Sequence, residues 1–531
     1  MPIEKNGQFL QALEAMEGKE PCVFVTGRAG TGKSTLLRHF RETTKRACVY
    51  LAPTGVAALN IEGETIHTFF RFSPGITAAK AKKAGASADR ALFETLEAIV
   101  IDEISMVRAD LLDCMDAFLQ SVTKSRRPFG GKRVICIGDL YQLPPVVSSQ
   151  EVEAFRSRYE TPYFFSSDVL KQLVQDQKIA FIELEHVYRQ NDPAFIALLN
   201  GVRNRSITEE QLAQLNQRVR DEPEDERDFF ISLTTTNAGA DEINHARLGR
   251  LPGSGQRYEG ERKGSFPDKD LPTDIDLILK KQARVMFLNN DSQGRWVNGT
   301  LGTVTRLAKT HVEVCIDNAS DPVGVEPFAW TLYRSAYDQK QHCLEQEKLG
   351  SFTQIPLRLA WATTIHKSQG KTYDQCLVDL RRGAFAAGQV YVALSRCRTF
   401  EGLHLTKPVT ASQLFLDWRV MNFLTSLQYS LAHATQSLEE KMALIKTAIK
   451  KKQPLSIVYL KGKDEKSERE IIPKRMQQAE YKGHPYLALQ AYCCLRQEER
   501  IFNVEHILKV QNTPSKPTHR TIPRTSFSNT Q

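Results

Sequence analysis

The chain has 531 residues, 41% hydrophobic and 25% charged, an ordinary globular composition long enough for about three or four domains. It contains no apolar run near the ~18–20 residues of a membrane span, and the start MPIEKNGQFL lacks an apolar export core, so membrane-spanning and exported classes are not expected. The net charge of +9 is uneven: residues 441–531 hold 18 Lys and Arg against 8 Asp and Glu, while the other 440 residues hold 53 against 54. A basic last sixth suits a grip on nucleic-acid phosphates, although a plain solvated surface would read the same. The ten cysteines form no C-x-x-C pair, which argues against a zinc or iron–sulfur site and fits a reducing cytoplasm.

In chain order, a short apolar strand at Cys22–Val25 leads into GRAGTGKS at 27–34, and a helix-forming stretch starts at Thr35. This is the strand–loop–helix setting of G-x-x-x-x-G-K-[ST]. Gly27, Gly30, Thr31 and Gly32 let backbone amides turn inward around phosphate oxygens, and the helix N-terminus adds partial positive charge. Lys33 reaches the β- and γ-phosphates, Ser34 ligates Mg²⁺, and Thr35 continues the cradle. ATP and Mg²⁺ are therefore the expected ligands.

Further strands are expected at Cys48–Leu51, Ala98–Ile101 and Val134–Ile137, the rhythm of a parallel sheet flanked by helices. Ser73–Arg90, rich in Ala, Lys and Gly, reads as an exposed insertion. Asp102 and Glu103 end the third strand, Asp102 placed to hold the metal and Glu103 to act as general base. Gln142, ahead of Pro144-Pro145, is a candidate sensor of the terminal phosphate, aimed by the rigid prolines. A second α/β unit is expected from Ile179, including Phe229–Thr234. It is interrupted by a loop at 251–276 and a β-rich stretch at 277–335, then resumes at Leu357–Ala362 and Gln375–Leu380 and ends in a helix at Ala411–Leu431. Arg189 and Arg396, both in this second unit, are candidates to reach across a cleft to the transferred phosphoryl group. Residues 437–510 read as a separate module, with a helix at Ser437–Lys451 and strands near Ser456–Leu460 and Tyr486–Cys494. The last twenty residues are rich in Pro, Ser and Thr and are expected to be disordered.

GRAGTGKST, APTGVAALN, TIHTFF, IDEISM, PFGGKRVICIGDLYQLPPV, HVYRQ, WATTIHKSQG and YVALSR follow one another in this order. Together they resemble the superfamily 1B helicases, most closely the Pif family, relatives of RecD, over roughly residues 6–430. VMFLNN…WVNGTLG resembles that family's inserted barrel. The resemblance implies an α/β fold of two RecA-like P-loop domains, at 1–178 (with a small insertion about 66–92) and at 179–250 plus 357–432, with an SH3-like β-barrel inserted at 251–356. It also implies ATP-driven 5′-to-3′ movement on single-stranded DNA and duplex unwinding. Translocation without unwinding, a ligand-gated regulator and an RNA helicase are the rival readings.

By motif, Pro53, Thr54, Gly55, Thr65, His67, His366, Lys367, Ser368 and Gln369 are implied to touch the DNA backbone, with Thr235 and Asn237 as further candidates. Phe69, Phe70 and Phe72 are weighed as stacking or duplex-splitting aromatics against a core role. Gly370 belongs to the nucleotide set. Gln8 is the candidate for the family's adenine-contacting glutamine, with Asn6 an equal alternative. The C-terminal module resembles a WYL domain, an Sm-like β-barrel, with Pro485-Tyr486-Leu487 at the position of the naming triplet. Arg469, Tyr486, Arg496, Arg500 and Phe502 match its basic and aromatic positions and point to a ligand or to nucleic acid. The implied partners are single-stranded and forked DNA and a single-stranded DNA-binding protein. The implied state is a monomer, with oligomers on DNA as the alternative, and the implied place is a bacterial nucleoid.

Overall fold

A computed structural model of the chain describes residues 6–512 other than 74, 221–229, 318, 339–342, 463 and 482. The expected tail, from 513 on, and Phe229 lie outside the described residues. The chain forms two compact units, Met1–Val420 and Met421–Gln531.

The first unit opens with a parallel six-stranded sheet. Its strands are β1 (Cys22–Gly27), β2 (Cys48–Ala52), β3 (Glu64–Thr65), β4 (Ala98–Ile101), β5 (Arg133–Ile137) and β6 (Ile179–Leu184), in the order β3-β2-β4-β5-β1-β6. The four residues of β4 and all of β1 and β5 are buried, because a parallel sheet is covered on both faces and its strands read as continuous apolar runs. The phosphate loop, Asp102 and Asp139 leave the C-terminal ends of β1, β4 and β5, where open α/β sheets place their ligands.

This sheet corrects two expectations. Ile179 does not begin a second unit: β6 pairs in parallel with β1 along its whole length, from Cys22↔Ile179 to Gly27↔Leu184. An edge strand far along the chain from its partner looks like a new start when only local pattern is visible. The segment Ser73–Arg90 is not simply exposed either. Its helix Ala78–Ala86 buries Ala81 and Gly85, and a Cβ on Gly85 would lie 2.4 Å from the Phe118 carbonyl of helix Ala109–Thr123. Small residues there allow two helix backbones to approach closely.

A second parallel sheet of four strands orders Ala362–Thr364, Ile231–Thr234, Cys376–Asp379 and Leu403–Leu405. Leu357–Leu359, expected to resume this unit, instead pairs with Arg284–Phe287. That pair belongs to a five-stranded antiparallel sheet with Leu301–Leu307, Val312–Ile316 and Pro322–Val325. Its core includes Val285, Phe287, Trp296, Val304 and Val314. The stretch 251–276, expected as loop, carries strands Gln256–Glu259 and Glu261–Gly264. They are polar and, of the two, only Tyr258 is buried, so their pairing partners rather than an apolar period define them.

In the second unit, helix Leu438–Lys451 begins with a capping box between Ser437 and Glu440. It packs Ile445 and Ala448 onto a five-stranded antiparallel sheet. The sheet runs Glu498–Asn503, His484–Cys493, Glu465–Tyr481, Leu455–Lys461, Ile507–Asn512.

Candidate nucleotide site and its surroundings

The phosphate loop is built where glycine is required. Gly30 and Gly32 sit at φ +80° and +85°, in the left-handed region that side chains disfavour. A Cβ on Gly27 would lie 2.6 Å from both the Leu184 carbonyl and Thr31 Oγ1, and one on Gly30 would lie 2.5 Å from Arg189 Cβ. Lys33 is the first residue of helix Lys33–Thr43, and its Nζ donates to the Gly27 carbonyl at 2.7 Å and the Arg28 carbonyl at 3.0 Å. Burial lowers its pKa, although Asp139, Glu103 and Asp102 oppose the shift.

Ser34, Asp102, Glu103, Thr54, Lys367 and Gln369 line one cavity of about 600 Å³. Asp102 accepts a hydrogen bond from the Glu103 amide at 2.9 Å, and burial raises its pKa. Glu103 sits at φ +50°, a strained conformation for a residue with a side chain. Burial, then the neighbouring Asp102 charge, pushes its carboxyl up to about 7.

Gln369 Nε2 donates to Glu103 Oε2 at 2.8 Å and to Gln142 Oε1 at 3.2 Å. Gln142 Nε2 in turn donates to Asp139 Oδ2 at 3.2 Å. Asp139 is fully buried and ion-paired with Arg203 at 3.5 Å, whose guanidinium lies 3.9 Å from the centre of the Tyr141 ring. Asp139 and Arg203 were not among the expected site residues. Asp139 shares the cue that marked Asp102, a carboxylate just past an apolar strand, whereas nothing local signals Arg203.

Neither candidate arginine is among the residues lining this cavity, but the charge of Arg189 acts on Lys33 and that of Arg396 on Glu103. Arg189, which follows β6 on the first sheet rather than belonging to the second unit, donates to the Ser395 carbonyl at 3.1 Å and the Gly370 carbonyl at 3.5 Å. Burial and the nearby Arg396 bring its pKa down to about 9. Arg396 is 1% exposed. It donates to the Val392 carbonyl at 2.8 Å, to Ser395 Oγ at 2.9 Å and to the Lys371 carbonyl at 3.3 Å. Burial lowers its pKa, while Tyr391 and Glu103 oppose the shift. Gln190, unmarked in the sequence, ties the same turn by donating to the Cys397 carbonyl at 2.9 Å.

Gln8 and Glu185 hold one another: Gln8 Nε2 donates to Glu185 Oε2 at 3.1 Å and Gln8 Oε1 accepts from the Glu185 amide at 3.0 Å. Asn6 caps helix Gly7–Glu17 and donates to Tyr188 Oη at 2.9 Å. A Cβ on Gly32 would stand 3.7 Å from the Tyr188 ring, so Tyr188 is the aromatic nearest the loop on that side.

Several residues expected to touch DNA are committed elsewhere. Phe69, Phe70 and Phe72 are core: all three are buried and pack with Phe93 and Phe118, because aromatic rings at this spacing satisfy one another. Ser368 is fully buried and its hydroxyl donates to the Ile365 carbonyl at 2.7 Å; Thr235 is buried too. The Thr54 and Thr65 hydroxyls cap the short helices Gly55–Asn60 and Ile66–Phe70, so each accepts from its own backbone. Pro53, Gly55, His67, His366 and Gln369 are half-buried, and Asn237 and Lys367 are exposed. Partial desolvation lowers the pKa of His366 and, despite its exposed surface, of Lys367.

In the second unit the five candidates do not form one cluster. Arg469 and Phe502 face inward, with Arg469 donating to Ser467 Oγ at 3.0 Å and to Cys493 Sγ at 3.5 Å. Tyr486 is half-buried, and Arg496 and Arg500 are exposed. Arg496 lies in the turn between two strands, and Arg500 and Phe502, two residues apart on Glu498–Asn503, share a strand face, so it is position along the strand that leaves Arg500 outside and Phe502 inside.

A lysine amine at a helix N-terminus and glycines whose Cβ would clash suit a phosphate cradle. A hydroxyl and a carboxylate beside it suit a hard divalent cation. The residues therefore fit a nucleoside triphosphate with Mg²⁺.

Comparison with known proteins agrees with this chemistry. The family model described as PIF1-like helicase matches residues 4–213, and that of the WYL domain matches residues 440–512. The ATP-dependent DNA helicase Pif1 of Bdellovibrio bacteriovorus is 35% identical over 430 residues, 79% of this chain and 92% of that protein. The crystal structure of Bacteroides sp Pif1 in complex with ADP-AlF4 is 33% identical with a TM-score of 0.72, covering 80% of this chain and 97% of that one. Bacteroides Pif1 in complex with ADP-AlF3 and single-stranded DNA is 34% identical with a TM-score of 0.57, again covering 80% and 97%.

Proposed function

Since the chain belongs to the PIF1-like helicase family and is an ATP-dependent DNA helicase, we propose that it splits ATP in the cleft between its two parallel sheets. That hydrolysis drives the chain 5′ to 3′ along single-stranded DNA and so unwinds duplex ahead of it. The phosphate loop holds the triphosphate through its amides and Lys33. Mg²⁺, held by the Ser34 hydroxyl and the Asp102 carboxylate, would neutralise phosphate charge. Glu103 takes a proton from the attacking water, Gln142 orients that water, and Arg396 and Arg189 stabilise charge on the transferred phosphoryl group. Pro53, Gly55, His67, His366, Lys367 and Asn237 contact the DNA backbone, together with the Thr54 and Thr65 hydroxyls, whose oxygens accept from helix amides and can still donate a proton. Contacts of this kind hold phosphate without reading bases.

The observation that carries this reading is the reach of Gln369. It sits in the IHKSQG stretch next to the DNA-contact candidates His366 and Lys367, yet bonds both Glu103 and Gln142. A shift of DNA along IHKSQG then moves the hydrogen bonds of the base and the water-orienting residue, which couples stepping to hydrolysis.

The second unit adds an accessory grip on DNA through its exposed basic residues. In a bacterium this work falls on nucleoid DNA, shared with single-stranded DNA-binding protein and performed by a monomer. The test measures ATP turnover with and without single-stranded DNA, alongside strand displacement from duplexes carrying a 5′ or a 3′ tail. The expected result is DNA-stimulated turnover and displacement from the 5′-tailed duplex alone. Stimulated turnover with displacement from neither would leave a translocase that does not unwind.

A further inference from the structure

The helix Gln389–Leu394 buries all six of its residues, though only the arginine beyond its end has a role so far. Its N-cap Gly388 sits at φ +73°, and a Cβ there would lie 2.3 Å from the Tyr141 carbonyl and 2.4 Å from the Gln142 carbonyl. Its start therefore rests directly on the segment that aims Gln142. Just past its far end is Arg396. Between them, the Tyr391 hydroxyl accepts a hydrogen bond from the amide of Ala29, in the phosphate loop, at 2.9 Å. This bond is buried and joins residues 362 apart in the chain.

A phenol oxygen can accept and donate at once. Here the accepting side is used by Ala29, and the phenol proton has no acceptor among the described residues. Burial and the nearby Asp139 push the phenol up to about 12, so the proton stays on at working pH. Tyr391 is 3% exposed, which leaves water little access. Its charged neighbours include Arg189 and Arg396, the groups assigned to the transferred phosphoryl. That phosphoryl must lie on the Glu103 and Gln142 side of the loop, because the base and the water-orienting residue act on it directly.

Building on the reading that ATP occupies this loop, we propose that the Tyr391 hydroxyl donates its proton to a terminal phosphate oxygen of the triphosphate. One oxygen then holds the Ala29 amide and marks the nucleotide as ATP rather than ADP. The second sheet's helix thereby senses the terminal phosphate through Tyr391 while Arg396, five residues on, neutralises it.

Tyr391→Phe removes one oxygen and keeps the ring. The experiment measures equilibrium affinity of the full chain for a non-hydrolysable ATP analogue and for ADP by displacement of a fluorescent nucleotide. Loss of a hydrogen bond to a charged oxygen weakens analogue binding by about tenfold or more, with ADP binding within about twofold of wild type. Equal shifts for both nucleotides, or no shift for either, overturn the proposal. Retained ADP binding also shows that the variant is folded. As a second reading that keeps the hydroxyl, 3-fluorotyrosine placed at position 391 moves its ¹⁹F resonance with the analogue and not with ADP; an identical response to both contradicts the contact. If wild-type chain binds neither nucleotide, the site reading falls first and this inference with it.

Discussion

In the cleft, Lys33, Asp102, Glu103, Arg189 and Arg396 are all driven from their ordinary pKa values, with burial the first cause for each. In the C-terminal unit the outward-facing charges have a different setting. Arg500 is exposed and pairs with Glu498, and Lys474 pairs with Glu499 on the surface. The same residue types serve two purposes. Charges withdrawn from water feel one another strongly and can stabilise a transition state. Charges left in water attract phosphates at range, at the expense of salt sensitivity. Chemistry should therefore fail sharply when a cleft residue is lost, and binding should fade gradually when a surface one is.

The sharpest way to break this contrast is Lys33→Ala. ATP turnover should fall by about three orders of magnitude or more, because the loop loses its only lysine, while nucleotide-free DNA binding stays near wild type. Near-normal turnover would remove the loop from the mechanism. Glu103→Gln should lower turnover by about 10²–10⁴-fold, the usual share of a general base, with ATP binding preserved. The wild-type pH profile sharpens the same point. Glu103 works deprotonated and its carboxyl sits at about 7, so turnover should rise with pH toward 7 and level off above it. A flat profile from pH 5.5 to 8.5 would assign the base elsewhere. The smallest effect belongs to the surface: replacing Arg496 and Arg500 together by Glu should weaken single-stranded DNA binding several-fold. It should reduce the slope of log affinity against log salt by about one to two units, leaving turnover at saturating DNA within about twofold. A drop in turnover as large as that of Glu103→Gln would erase the distinction between the two regions.

What the sequence made legible follows the same division. The phosphate loop, Asp102, Glu103 and Gln142 each sit in a contiguous stretch, since the chemistry needs fixed residue types at fixed spacing beside a strand end. Arg203 reaches the site only through long-range packing, so its neighbours in sequence carry no signal, whereas Gln190 and Tyr391 lie inside HVYRQ and YVALSR, where the arginines stand out and the partners of the other residues are visible only in space. Ile179–Leu184 was assigned to the wrong sheet for the same reason, because its partner β1 lies more than a hundred residues earlier. Ser368 and Phe69 lie within motifs and were credited with contacts, yet a turn-closing hydroxyl and a ring in an aromatic cluster serve the fold first. In the C-terminal unit the strands near Ser456–Leu460 and Tyr486–Cys494 were legible and the other three of the sheet were not, nor was which arginine faces in: Arg469 and Arg500 have similar surroundings in sequence and opposite ones in space.

The most direct test of two sheets sharing one nucleotide is ATP turnover by Arg396→Ala, with ATP affinity measured on the same protein. The predicted result is a fall of about 10³-fold or more in turnover with affinity changed by less than about tenfold. A fall of less than tenfold in turnover would contradict the account, because the second sheet would then contribute nothing essential to the chemistry.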